Sequence, residues 1–399
     1  MSTAAQMRAW TGPALLTYGF RPFFFGAGIW AALAMVLWVP MLSGHLELPS
    51  RFDPVSWHAH EFLYGYLGAV VAGFLLTSVP NWTGRLPIVG WPLGGLFVLW
   101  LAGRLAVAVS SGLPVWLVVC ADLSMLVTLA VVLTREIVAG KNWRNLMVLV
   151  MLAVLILGNG VFHWEAAQGD YAAQGYGLRI GLAAGLMLIA VIGGRIVPSF
   201  TRNWLVRRGS GKLPVAPMKT FDKAALIVLL IALLFWIAAP ENRATAFVML
   251  LAGLLHLIRL SRWAGERCLS EPLLWVLHLG YGLLPLGAIM VALEALRPGG
   301  VGFAAAQHVW MAGTIGVMTL AVMTRATLGH TGQTLHAGPG TTMIYLCIIA
   351  AMLLRLAAGG WPMQADILLV LSGTVWIAAF GGFAVLYGRL LLRPLPRGA

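Results

Sequence analysis

The chain is dominated by apolar stretches of about 20 residues, each bounded by charged residues or by clusters of Pro and Gly. An α-helix of that length crosses the hydrocarbon core of a lipid bilayer, which is about 30 Å thick. Only 10% of the residues are charged, whereas a soluble protein has about 25%. A water-exposed surface cannot be built from this composition. We therefore expect an all-α, polytopic membrane protein.

The apolar stretches predict about twelve transmembrane helices. We expect them at about residues 22–42, 56–80, 89–108, 113–134, 144–163, 176–198, 223–240, 243–263, 272–295, 302–325, 341–358 and 365–388. Together they form a single membrane domain, 22–388, between an N-terminal segment, 1–21, and a C-terminal tail, 389–399. The N-terminal segment lacks the basic start, apolar stretch and cleavage site of a signal peptide, so the first span is predicted to be retained.

Basic residues are distributed unevenly between the two sides of these spans. Twelve spans place both termini on one side, and that side holds 20 of the 26 lysines and arginines but only four of the 13 acids. The positive-inside rule interprets this asymmetry as two cytoplasmic termini. Orientation thus accounts for the net charge of +13. The expected partner is the lipid bilayer, and nucleic acid is not expected as a partner.

A weak internal repeat runs through the spans. Residues 79–83 (VPNWT) end the second span, and residues 197–201 (VPSFT) end the sixth. Residues 323–327 after the tenth span keep only a threonine and the location. Three four-helix repeats would explain this spacing. The alternative is that membrane helices commonly end in Pro, Trp and Thr at an interface.

Histidines inside the spans are the residues best suited to chemistry, because polar side chains are costly in lipid and are therefore usually functional there. Imidazole suits haem iron, copper and proton transfer equally well. An outer group shares one depth near the side opposite the termini: His58, His60, His163 and His308. An inner pair, His256 and His278, lies about 10 Å from the other side. The two groups predict two metal centres, or one haem bridging neighbouring helices plus a second metal.

Arginines and a tryptophan accompany the inner pair. Guanidinium groups suit carboxylates, so Arg195, Arg259 and Arg325 at the same membrane face are candidates to hold haem propionates. Trp275 shares a helical face with His278 and is a candidate to pack on a macrocycle. The alternative for each arginine is anchoring at the cytoplasmic surface.

His58 and His60 pose a geometric question, because residues two apart in a regular helix point about 200° away from each other. Either the helix start is irregular, or the two histidines serve two sites on opposite sides of the second span. Glu61 beside them is the candidate catalytic residue, as a proton donor or as a partner for an imidazole N–H. His330, just past the tenth span, is a further candidate ligand. The alternative for any one histidine is a structural hydrogen bond across helices.

Short motifs, in order along nearly the whole chain, resemble those of the NnrS family of bacterial membrane proteins. The segments that carry the resemblance are YGFRPFF (18–24), WHAHE (57–61), AGFLLT (72–77), PNWTGR (80–85), GRIVP (194–198), TRNW (201–204), LW (274–275), HLGY (278–281) and MTRATLGHTG (323–332).

The resemblance implies a bacterial inner-membrane protein containing haem, of b type, and copper, and linked to nitric oxide, denitrification and nitrosative stress. A haem-dependent oxidoreductase acting on nitric oxide is one reading, with an unknown electron donor. A haem held by His256 and His278 would be six-coordinate and suited to electron transfer, and the outer group would hold copper or a second haem. Two other functions stay open: a secondary transporter, and a haem sensor or assembly factor without turnover.

Overall fold

The computed structural model describes residues 10–84, 87–209 and 211–394. Within these ranges the chain is helical between its loops and contains no β-strand, which confirms the predicted fold class. Twelve of the described helices are long and apolar enough to cross a membrane. They are α1 (Phe20–Leu42), α2 (Pro54–Pro80), α3 (Trp91–Ala108), α4 (Val115–Ala139), α5 (Leu146–Gln168), α6 (Tyr176–Val206), α7 (Thr220–Ala238), α8 (Arg243–Ser261), α9 (Pro272–Leu296), α10 (Phe303–His330), α11 (Pro339–Gly360) and α12 (Pro362–Leu392).

Several helices extend beyond their predicted ends. We expected the sixth span to end at residue 198, but α6 continues through Arg202 to Val206. The tenth continues to His330, which is therefore the last residue of α10 and does not lie past it. A helix retains its backbone hydrogen bonds after it leaves the hydrocarbon, so its polar end extends beyond the apolar stretch. Parts of the predicted terminal segments, 1–9 and 395–399, lie outside the described residues, as does Arg85 of a family motif.

The described residues fall into two compact units. The first unit contains Met1–Ala184, Ala326–Thr334 and Phe380–Ala399, and the second contains Gly185–Arg325 and Leu335–Ala379. In the first unit α1 packs on α2, and α4 packs on α2, α3 and α5. In the second unit α8 packs on α7 and α9, and α10 packs on α9 and α11. The single membrane domain stays a prediction.

Arg21, which belongs to the first family motif, has a structural role in the first unit. Its Nη1 donates to the carbonyl oxygens of Leu391 and Arg393, at 3.1 and 2.7 Å, where α12 ends. The last carbonyls of a helix lack partners within the helix and carry partial negative charge. The buried guanidinium of Arg21 therefore caps α12 and ties it to α1.

Three of the helices contain a π-helical segment. These segments are Glu61–Tyr66 in α2, Ile189–Gly193 in α6 and Val309–Val317 in α10. A π turn is rare and occurs frequently at functional sites. The three helices follow one another at intervals of four along the chain, and the arrangement in three four-helix repeats stays a prediction.

Each π segment has a backbone carbonyl bound by a side chain. Trp100 Nε1 donates to Gly65 O at 2.9 Å, Arg259 Nη1 donates to Ala190 O at 3.0 Å, and Thr319 Oγ1 donates to Ile315 O at 2.6 Å. An unpaired carbonyl in the low-dielectric interior would be costly. These bonds stabilise the irregular segments and tie two of them to neighbouring helices.

Candidate metal centre

The first unit holds a cluster of buried polar residues that begins at the start of α2. Asp53 caps this helix, because its Oδ1 accepts the backbone N–H groups of Val55 and Ser56 at 2.9 and 3.0 Å. Pro54 occupies the first helical position, where no N–H is needed. His60 follows in the second turn and is completely buried, and the π segment begins at the next residue, Glu61.

Three side chains bring ligand atoms together at this point. The Nε2 atoms of His60 and His163 lie 3.1 and 3.0 Å from Asp122 Oδ2. One ligand atom from each residue lies within 4.8 Å of the other two, and all three residues are buried. We call this set the His–Asp–His cluster. It joins α2, α4 and α5, and two imidazoles with a carboxylate are a ligand set for a transition metal ion.

Asn159 links the members of the cluster. It lies one helical turn before His163 on α5, so both side chains face the same way. Its Nδ2 donates to Asp122 Oδ2 at 2.8 Å, and its Oδ1 lies 2.9 Å from His60 Nε2. The amide thereby holds the carboxylate and the imidazole of His60 in their relative positions.

Arg104 of α3 joins the two carboxylates of the site. Its Nη1 donates to both oxygens of Glu61 at 2.8 Å, and its Nη2 donates to Asp122 Oδ1. The close approach of α3 to α4 depends on Gly103, where a β-carbon would lie 2.9 Å from the Cα of Asp122. Because Arg104 binds Oδ1, the other carboxylate oxygen is left to face the imidazoles.

The donor and acceptor pattern indicates how the cluster would accept a metal ion. His60 Nδ1 lies 3.1 Å from Glu61 Oε1, so both ring nitrogens of His60 face acceptor oxygens. Each of these nitrogens therefore needs a proton or a metal ion. A tetrahedral ion with bonds of 2.0–2.1 Å separates its ligand atoms by about 3.3 to 3.4 Å. The separations of 3.0 and 3.1 Å fit such an ion after shifts of a few tenths of an ångström.

The other two members of the predicted outer group, and the further candidate His330, lie outside this cluster. His58 stacks on the indole of Trp38 with ring centroids 4.1 Å apart, and contacts Phe62. It therefore faces a different side of α2 from His60, and that the two histidines serve two sites stays a prediction. His308 belongs to the second unit, where its Nδ1 lies 2.6 Å from Ala304 O of the preceding turn. His330, in the first unit, lies with its ring centroid 5.4 Å from both Tyr18 and Phe20.

The second unit has a buried network of its own, centred on Arg259. Arg259 Nε donates to Asp222 Oδ1 at 3.1 Å, and Nη1 donates to the hydroxyl of Tyr281 at 2.7 Å. That hydroxyl lies 2.9 Å from His256 Nδ1, and His256 Nε2 lies 3.2 Å from Ala225 O. Both nitrogens of His256 are therefore engaged, and the Arg259 side chain is held in an ion pair.

The remaining predicted cofactor residues lie in the same unit with separate partners. His278 Nε2 lies 2.9 Å from Thr201 Oγ1, and a β-carbon at Gly265 would lie 2.6 Å from its Nδ1. The guanidinium of Arg325 lies 4.3 Å from the centroid of the Phe200 ring. Trp275 contacts the Tyr345 ring edge-on, and Arg195 is half-buried on α6. A haem shared by His256 and His278 stays a prediction.

Sequence reasoning missed three residues of the site: Arg104, Asp122 and Asn159. Each lies inside a predicted span, and a charged or amide side chain at that depth was a signal, because such residues are rare in lipid and usually functional. Asp222 of the second unit lies just before the predicted seventh span, 223–240, so this signal does not apply to it.

The twelve helices and the buried His–Asp–His cluster define a polytopic helical membrane protein with a candidate metal centre. The chain belongs to the NnrS family, whose sequence profile, described as NnrS protein, matches residues 14–395, nearly the whole length. Among curated proteins none matches significantly. Membership of this family supports a membrane protein linked to the nitric oxide response.

Proposed function

We propose that this protein is a metal-containing protein of the bacterial inner membrane that handles nitric oxide under nitrosative stress or during denitrification. The observation that carries the proposal is the buried His–Asp–His cluster inside a membrane-spanning helical unit. Buried ionisable groups are costly in lipid, so a constellation of this kind marks a functional site. His60, His163 and Asp122 would hold the ion, and copper accepts this ligand set.

A copper ion would supply a redox-active centre with affinity for small diatomic ligands. The chain's own residues would orient that centre. Glu61 lies against Nδ1 of His60, which directs Nε2 toward the ion, as outer partners of metal-bound histidines generally do. We therefore assign Glu61 as a positioning residue. Asn159 and Arg104 hold Asp122 so that only Oδ2 is available as a ligand.

The setting suits a small neutral substrate. The cluster is buried, since His60, Asp122 and His163 are at most 4% exposed. Nitric oxide is uncharged and partitions into hydrocarbon, so it can reach a buried site from the lipid without a polar channel. An electron donor, which would make the protein an oxidoreductase, remains part of the proposal. So does the orientation with cytoplasmic termini, which rests on the distribution of basic residues.

The residues predicted to hold haem, His256 and Arg259 among them, suit that group less well than the His–Asp–His cluster suits copper. Ligation by His256 would require one of its two hydrogen bonds to break, and Arg259 would have to leave Asp222 to bind a propionate. The absorption spectrum of the purified protein, oxidised and reduced, tests for haem directly by the presence of a Soret band.

The proposal is tested by metal analysis of the full chain purified in detergent. We expect one copper per chain in the unsubstituted protein, and an affinity at least about 100-fold lower after His60→Ala or His163→Ala. His336→Ala is the matched control, because the His336 side chain is 67% exposed and lies in the second unit. Nitric oxide added to the reduced protein should change the metal spectrum only where copper is retained. Equal copper affinity in all four proteins would contradict the proposal.

A further inference from the structure

The His–Asp–His cluster and its immediate partners carry an uncompensated charge. Metal ligation requires neutral imidazoles, so His60 and His163 contribute no charge to a loaded site. Two carboxylates, Glu61 and Asp122, then face one guanidinium, that of Arg104. The site that receives the ion thus has one net negative charge, at side chains that are 4% exposed or less.

The nearest other buried acid on α5 does not alter this balance. Glu165 accepts the backbone N–H groups of Tyr176 and Gly177, at 2.6 and 3.0 Å, where α6 begins. The partial positive charge of a helix N-terminus compensates a carboxylate in that position. The charge of Glu165 is therefore balanced at the start of α6.

We infer that Arg104 makes this site selective for a monovalent, imidazole-binding cation over divalent ions. The inference rests on the metal site proposed above. A monovalent ion leaves the buried site neutral, whereas a divalent ion leaves it with a net positive charge. A net charge in a low-dielectric interior costs several kcal/mol. The charges of Glu61, Asp122 and Arg104 therefore discriminate between ions that the three ligand atoms alone would both accept. Cu⁺ and Ag⁺ are the ions of this class.

The position of Arg104 adds a geometric element to the same selection. Its hydrogen bond to Asp122 Oδ1 leaves one carboxylate oxygen for the ion. Three protein ligand atoms remain. A divalent ion such as Zn²⁺ takes four ligands and would need a water as the fourth, whereas Cu⁺ and Ag⁺ are stable with two or three ligands. Charge and ligand number therefore favour the same class of ion.

The test compares the affinities of Ag⁺ and Zn²⁺, two ions that do not change oxidation state during a titration. The full chain, stripped of metal in detergent, is titrated with each ion against a competing chelator. Arg104→Met leaves two negative charges, so we expect the ratio of Zn²⁺ to Ag⁺ affinity to rise by at least about 100-fold. Glu61→Gln leaves none, so both ions should bind more weakly and the ratio should fall by a similar factor.

The double variant E61Q/R104M returns the site to one net negative charge. We expect its ratio of Zn²⁺ to Ag⁺ affinity to match that of the unsubstituted protein within about threefold. If Arg104 had a purely structural role, the double variant would bind both ions more weakly than either single variant does. Arg135→Gln is the control, because that arginine is on α4 of the same unit with a side chain 70% exposed. If Arg104→Met fails to fold, the comparison of E61Q with the double variant still tests the charge rule.

Two results would overturn the inference: one contradicts only the role of charge, and the other contradicts the metal site itself. If the variants change both affinities by the same factor, charge does not discriminate between the ions, although the metal site stands. If the unsubstituted chain binds neither ion, or binds them with affinities that His163→Ala leaves unchanged, then the proposed metal site is itself wrong.

Discussion

Asp122 accepts contacts from three helices: from Arg104 through Oδ1, and from His60 and His163 through Oδ2. An isolated carboxylate within a span is costly in lipid, so its charge must be stabilised by partners from other helices. The same logic governs Asp222 in the second unit, which is paired with Arg259. At both places the acid and the arginine lie on different helices, so their pairing depends on packing.

Tyr281 provides a test of the Arg259 network. Tyr281→Phe removes the hydroxyl that lies against His256 Nδ1 and Arg259 Nη1, and leaves a buried polar atom without its partner. We expect a loss of about 1–3 kcal/mol in the free energy of unfolding, measured by thermal or denaturant unfolding in detergent. The control is Tyr176→Phe, since Tyr176 is 51% exposed. Equal stabilities of the two variants would contradict the network's role.

Cys268 lies in the segment between α8 and α9, outside the spans, and is completely buried. Burial raises the pKa of its thiol above the usual value, because the thiolate is the poorly solvated form. Only the thiolate reacts with iodoacetamide. We expect alkylation in the folded protein at pH 8 to be at least about tenfold slower than for the same cysteine in the unfolded chain, and to accelerate as the pH rises. Mass spectrometry of the Cys268 peptide measures both rates, and equal rates would refute this account.

Among the elements, α2 contributes most to the site, since it supplies His60 and Glu61 and carries the π segment that follows. Hydropathy predicted this helix, and residue type indicated its histidines as candidate metal ligands. Neither predicted the π segment, because that irregularity depends on Trp100 of α3, which binds the carbonyl of Gly65. Composition predicts a regular helix for each span. Where the helix becomes irregular depends on its contacts with neighbouring helices.

Gly65 tests the packing of α2 against α3. A β-carbon there would lie 2.4 Å from Arg104 Nη1 and 2.9 Å from Glu61 Oε2. Gly65→Ala should therefore displace the guanidinium from both carboxylates and lower metal affinity by about 10–100-fold, measured by titration as above. Gly95→Ala on α3 is the control, because among the described residues no atom beyond its chain neighbours and its own helix backbone lies within 4 Å of the added carbon. Unchanged metal affinity in Gly65→Ala would show that Arg104 does not position the ligands.

At the scale of the whole molecule, orientation follows from the distribution of basic residues between the loops. We expect the loop between α6 and α7 to be cytoplasmic and the loop between α5 and α6 to face outward. Single cysteines in place of Lys212 and Asp170, in a chain whose native cysteines are replaced by alanine, test this with a membrane-impermeant maleimide. Asp170→Cys should be labelled in intact cells, and Lys212→Cys only after permeabilisation. The reverse pattern would invert the topology.

The number of spans and the fold class were predictable because hydropathy and length are local properties of the chain, and lipid imposes the same requirement on every span. The tendency of His58 and His60 to face different ways was also predictable, since it follows from helix geometry. Which histidines share a site was not predictable. His163 meets His60 through Asp122, whereas His58 stacks on Trp38. A buried polar group must be satisfied by side chains from other helices, so its partners depend on helix packing, which no single span specifies.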